Sequence, residues 1–194
     1  ATAQAVTLTG TNNYTGGVFS AAPATGLILD ASTGAITPSG STPGTYTVSY
    51  AIPANGGCTP APVTTTVTIT PLPTAIINYA GSPYCETITT SQAVGLTGTG
   101  AYTGGTYSVL PATGLILDTT TGAITPSGST PGTYTVSYAI PASGGCTPAP
   151  VSTTVTITAA PTASISYAAT PYCNDNATAQ AVTLTGTNNY TGGV

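Results

Sequence analysis

The chain has 194 residues with no Lys, Arg or His and only four acids, Asp30, Glu86, Asp118 and Asp175, giving a net charge of −4. Without cations to neutralise phosphate, nucleic acid and anionic membrane surfaces are poor partners. Without His or Lys, a Ser, Thr or Cys nucleophile lacks its usual base, so the composition argues against an enzyme. Hydrophobic residues make up 40% of the chain, so a folded protein is expected rather than disorder, and no apolar run approaches the ~20 positions of a membrane helix.

The predicted elements are strands. Val6 with Leu8, and then Ile36, mark two short ones. Residues 45–52 place Tyr46, Val48, Tyr50 and Ile52 on one face, with Thr45, Thr47, Ser49 and Ala51 on the other. Residues 63–70 repeat that alternation, with Val63, Thr65, Val67 and Ile69 opposed to four threonines, and Ile165 with Tyr167 marks a later strand. Gly16-Gly17, Thr33-Gly34, Pro43-Gly44 and residues 55–57 supply turns between them. Helical spacing is absent and Thr, Val, Ile and Tyr dominate, so the chain is expected to be all-β.

Residues 1–18 recur letter for letter as residues 177–194, and Gln4, Gln92 and Gln180 are spaced 88 apart (92 − 4 and 180 − 92). Cys58 and Cys146, and Cys85 and Cys173, keep the same interval, so the chain is a tandem array. About seven strands per period fit an immunoglobulin-like β-sandwich. Pro71, Pro73 and Pro161 mark the joints. They predict an incomplete domain over 1–70 lacking its first strand, a complete one over 71–158, and the start of a third over 159–194. Short proline-bearing joints limit bending, so an extended rod is expected, each unit adding about 35–45 Å from strands of ~8–10 residues. An array of this kind spans distance. Its first partners are neighbouring repeats, and near-neutral Thr-rich edge strands leave other copies in a filament open.

Residues 26–38 (GLILDASTGAITP) and 114–126 (GLILDTTTGAITP) place Asp30 and Asp118 where a carboxylate accepts backbone N–H bonds in a turn. Calcium wants six to eight oxygens, and two thiols per period with no histidine suit zinc badly, so no metal or cofactor is expected. Regular cysteines argue for an oxidising, extracellular compartment. Three pairings are open. The favoured one joins Cys85 to Cys146 within a unit, leaving Cys58 and Cys173 to partners beyond the 194 residues; it closes a loop of about 60 residues, worth roughly 4 kcal/mol on the chain-entropy model. The others are a bond across the joint to a neighbouring unit, and the sequence-neighbour scheme Cys58–Cys85 with Cys146–Cys173. Tyr14, Tyr102 and Tyr190, each followed by Thr-Gly-Gly, are candidate contact loops. Asn13, Asn176 and Asn189 head N-x-Thr sequons, and the rows of threonine read as solvated β-face.

GTYTVSYAI (44–52 and 132–140), the following GGC, VTTTVTIT or VSTTVTIT, the GLxLDxxTGxI segment and PYC together carry a resemblance covering the whole chain. It resembles the tandem Ig-like, SprB-like repeats of giant surface adhesins of gliding bacteria. The resemblance implies an outer-surface protein of a Gram-negative-type bacterium, exported by type IX secretion. In that group Asp-Thr-x marks O-glycosylation, which makes Thr119 a further candidate. The expected function is a structural repeat region of an extracellular adhesin or filament, a passive stalk for adhesion or gliding motility with surface or glycan ligands at its tip. The rival is a multivalent glycan-binding repeat module.

Overall fold

The computed structural model describes residues 2–12, 14–188 and 190–192, and among them there are thirteen strands and no helix. The chain divides into two compact units: Ala1–Leu72 with Gly144–Cys146, and Pro73–Ser143 with Thr147–Val194. The first division falls beside the predicted proline joint. The segment 159–194, expected as a separate domain, groups with the second unit instead.

In the first unit β1 (Val18–Ala22), β2 (Gly44–Ala51) and β3 (Val63–Ile69) form an antiparallel sheet in the order β1-β2-β3. The alternation in β2 works as the sequence predicts: Tyr46, Val48 and Tyr50 are buried. Thr45 and Thr68 meet hydroxyl to hydroxyl across the outer face at 3.3 Å. Val6 and Leu8, predicted as a strand, lie outside any strand; only Gln4 bridges, to Ile36. The cause is pairing. The corresponding text at Gly95–Thr99 is a strand because a partner runs beside it, and among the described residues the first unit has no such partner.

The second unit holds that partner. Its strands are β4 (Thr74–Asn78), β5 (Tyr84–Cys85), β6 (Gly95–Thr99), β7 (Thr106–Leu110), β8 (Ile116–Leu117), β9 (Ile124–Thr125), β10 (Gly132–Ala139), β11 (Val151–Thr158), β12 (Thr162–Tyr167) and β13 (Val182–Thr187). One sheet runs β5-β11-β10-β7, antiparallel except that β5 lies parallel to β11; β4-β6 and β8-β9 make two smaller pairs, and Gln92 bridges to Ile124. Ala75 and Ile77 on β4 share one apolar core with Val136 and Tyr138 on β10 and Val155 and Ile157 on β11. The arrangement is that of a β-sandwich.

Comparing the two copies shows what the β4-β6 pair contributes. Val155 is fully buried, whereas Val67, its counterpart 88 residues earlier, is only half-buried. Hairpin β12-β13 repeats the text of β4-β6, yet every residue in it is exposed: Ile165 is 69% exposed where Ile77 is 4%. The strands form in both places because their pairing is local. Burial follows only where the larger sheet of the same repeat faces them.

Polar groups inside are paired. Ser129, buried, donates to Thr125 O at 2.7 Å and accepts from Ile116 N at 2.9 Å, which ties the turn after β9 to both β8 and β9; Ser41 makes the matching bonds to Thr37 O and Ile28 N in the first unit.

Candidate contact, modification and cross-linking sites

The GLILD segments build turns. Asp118 Oδ1 accepts from Thr120 N at 2.8 Å and Thr121 N at 3.0 Å, while Gly122 N donates to Asp118 O at 2.8 Å. Asp30 repeats this with Ser32 and Thr33. Those backbone donors hold both carboxyls below the usual aspartate value. A carboxylate whose folded pKa is depressed stabilises the fold above its unfolded pKa, and that contribution disappears as pH falls through the folded value. Stability is therefore expected to decline below about pH 4, and Asp118→Asn should flatten that decline; acid melts of the two proteins by circular dichroism check it. Among the described residues no group of three His, Cys, Asp or Glu comes together.

The tyrosines proposed for contact pack on glycines of their own repeats. A Cβ built on Gly98 would lie 2.7 Å from the ring of Tyr102, and one on Gly10 would lie 2.7 Å from Tyr14. Tyr190 covers Gly186 in the same way. All three are half-buried. Tyr102 O accepts the hydroxyl of Tyr138 at 2.7 Å, and that hydroxyl accepts from Gly105 N at 2.8 Å; Tyr14, Tyr50 and Gly17 repeat the arrangement. What the sequence marks as presented loops are corners held by core tyrosines.

Of the modification candidates, Asn13 and Asn189 lie outside the described residues. Asn176 is exposed, with its Oδ1 accepting from Thr178 N at 3.0 Å and its backbone N donating to Cys173 O at 3.2 Å. Thr119 is exposed at the start of the Asp118 turn, and its carbonyl accepts from Tyr107 N at 2.8 Å.

All four cysteines are free thiols. Cys58 sits in the β2-β3 loop, bridged to Asn55, and Cys173 is exposed. The favoured pairing of Cys85 with Cys146 is not met. Cys85 pairs with Thr158, the last residue of β11, whereas Cys146 lies in the loop before Val151, the first. The eight residues of β11 separate those ends by seven steps, about 23 Å at ~3.3 Å each, against the ~4.4–6.8 Å between the Cα atoms of a disulfide. The hydroxyl of Thr87 lies 3.1 Å from Cys85 Sγ and lowers the pKa of that thiol.

Among its described residues the first unit has a cleft of about 700 Å³, lined by Leu8, Tyr14, Tyr50, Ile52 and Cys58 among others, and a smaller one of about 150 Å³ over Phe19, Val48 and Tyr50. In the second unit β4 pairs with β6, the strand that corresponds to the Leu8 segment lining this cleft. No family model matches this chain, and neither does any curated protein.

Proposed function

We propose that this chain is part of the repeat region of a long extracellular surface adhesin or filament. In this reading it is a passive, non-catalytic stalk of tandem immunoglobulin-like sandwiches that serves adhesion or gliding motility. The supporting observation is the internal use of the polar chemistry. The tyrosine hydroxyls, the turn aspartates and the buried serines each satisfy backbone groups of their own repeat, leaving threonine rows outward. A unit that keeps its functional groups for its own fold and recurs every 88 residues gains length by repetition. Neighbouring repeats are its main partners, with ligands held at a tip elsewhere.

Small-angle scattering of the 194-residue chain, with electron microscopy of a longer array, tests the reading. An extended profile and a periodic thin fibre are expected, together with silence on a glycan array. Glycan binding that grows with repeat number would replace the stalk with a multivalent binding module.

A further inference from the structure

The geometry points to a covalent staple across each joint. Within the first unit, Cys146 Sγ lies 3.7 Å from Thr70 O and 3.9 Å from Pro71 O, just past the end of β3. One period later the counterpart of Thr70 is Thr158. There the second unit places Cys85: it pairs with Thr158, whose carbonyl accepts from Glu86 N at 2.9 Å and whose hydroxyl donates to Tyr84 O at 3.2 Å. Two different cysteines thus lie beside one residue position of the repeat, Cys146 at Thr70 and Cys85 at Thr158. We propose that, in the array, the Cys85-type cysteine of each repeat is oxidised with the Cys146-type cysteine of the repeat that follows.

The step balances as ordinary thiol–disulfide exchange with a small-molecule or protein disulfide as oxidant. Cys85, its thiolate favoured by Thr87, attacks the oxidant and forms a mixed disulfide. The first exchange releases one thiol of the oxidant; the Cys146-type thiolate then attacks the Cys85 sulfur and releases the second, so the two cysteine protons end on the oxidant's two sulfurs.

The staples would have a mechanical consequence. From a Cys146-type residue to the Cys173-type residue of the next repeat there are only 27 residues (173 − 146), and a staple begins at each end of that stretch. A stapled array under tension can therefore reach, for every two periods, only the length of 27 residues of backbone plus the staple itself. At ~3.5 Å per residue that is about 95 Å, where the same two periods unravelled would reach roughly 600 Å. Such an array holds its length even if its domains melt.

The test starts from the chain as it is, oxidised with glutathione disulfide, alkylated, digested with pepsin because there is no Lys or Arg for trypsin, and mapped by mass spectrometry. All four thiols should be alkylated, because none has its proposed partner within these residues. A second protein carries a copy of residues 159–176 ahead of Ala1, a fusion that the identity of 1–18 with 177–194 keeps in register. It supplies the missing Cys85-type residue of the first repeat. One new bond is expected, from the added cysteine to Cys146, and Cys146→Ser should return the added cysteine to the alkylated form. A Cys85–Cys146 bond, a Cys58–Cys85 bond, a bond from the added cysteine to Cys58, or no bond in the extended protein each overturns the proposal. The mass map reads connectivity alone, so its outcome is independent of the scattering and glycan results that decide between stalk and binding module.

Discussion

Replacing Tyr138 with alanine is expected to cost the second unit about 3–5 kcal/mol, lowering its melting temperature by roughly 15 °C or more. Tyr138 is 1% exposed and faces Tyr107 across the β10-β7 pairing, with ring centroids 4.6 Å apart. Its hydroxyl pins two backbone groups of the preceding loop, Tyr102 O and Gly105 N. Alanine removes the ring, the stacking and both hydrogen bonds. Phenylalanine removes only the hydroxyl and should cost about 1–3 kcal/mol, because it leaves a part-buried carbonyl and N–H without their partner. Differential scanning calorimetry of both variants checks the ordering. If Tyr138→Ala melted within ~3 °C of the unsubstituted chain, the core assigned to this repeat would be wrong.

Gly122→Ala should be nearly as damaging, and for a different reason. Gly122 sits at φ 73°, a conformation that side chains resist by roughly 1–2 kcal/mol. A Cβ there would also lie 2.6 Å from Val94 and 2.7 Å from the Tyr107 ring, so overpacking adds about 1–3 kcal/mol. The neighbouring carbonyl is committed as well, since Gly122 O accepts the Tyr79 hydroxyl at 2.6 Å. Burial raises the pKa of that phenol, so it remains a donor at any moderate pH. Gly104 provides the control. It has φ 82° with open space around its missing Cβ, so Gly104→Ala should cost the backbone term alone. Urea unfolding of the two variants isolates the packing contribution as their difference, and equal losses would mean that the turn does not press on the core.

The longest strands are legible in the sequence because period-two alternation over eight residues has few competing explanations: β2 and β3 lie within a residue of the sequence-based limits 45–52 and 63–70, and β10 and β11 are their copies 88 residues later. The two-residue strands β5, β8 and β9 carry too little text to show a period. β5 is the instructive case, because its parallel pairing with β11 joins Tyr84 to Ile157 across most of a repeat, and nothing local announces it. That unseen pairing decides which end of the sandwich holds Cys85, and so it is what defeats the favoured disulfide. The tyrosine corners do leave a signal, one that points to packing rather than to contact. Gly10 and Tyr14, Gly98 and Tyr102, and Gly186 and Tyr190 share a four-residue spacing, the mark of a ring lying over a glycine. The turn aspartates are legible from sequence, since an Asp followed at fixed distance by glycine has a local hydrogen-bonding solution.

Hydrogen exchange of the 194-residue chain, followed residue by residue, tests most directly whether a complete repeat closes its own interior. Amides of β7, β10 and β11 should exchange together, as one strongly protected group. Those of β1, β2 and β3 should form a second and faster group, because their core lacks the covering pair of strands that β4 and β6 provide. A single level of protection shared by all six strands, lost in one step with denaturant, would mean that the repeats are not independent modules, and the tether built on them would fail with that result.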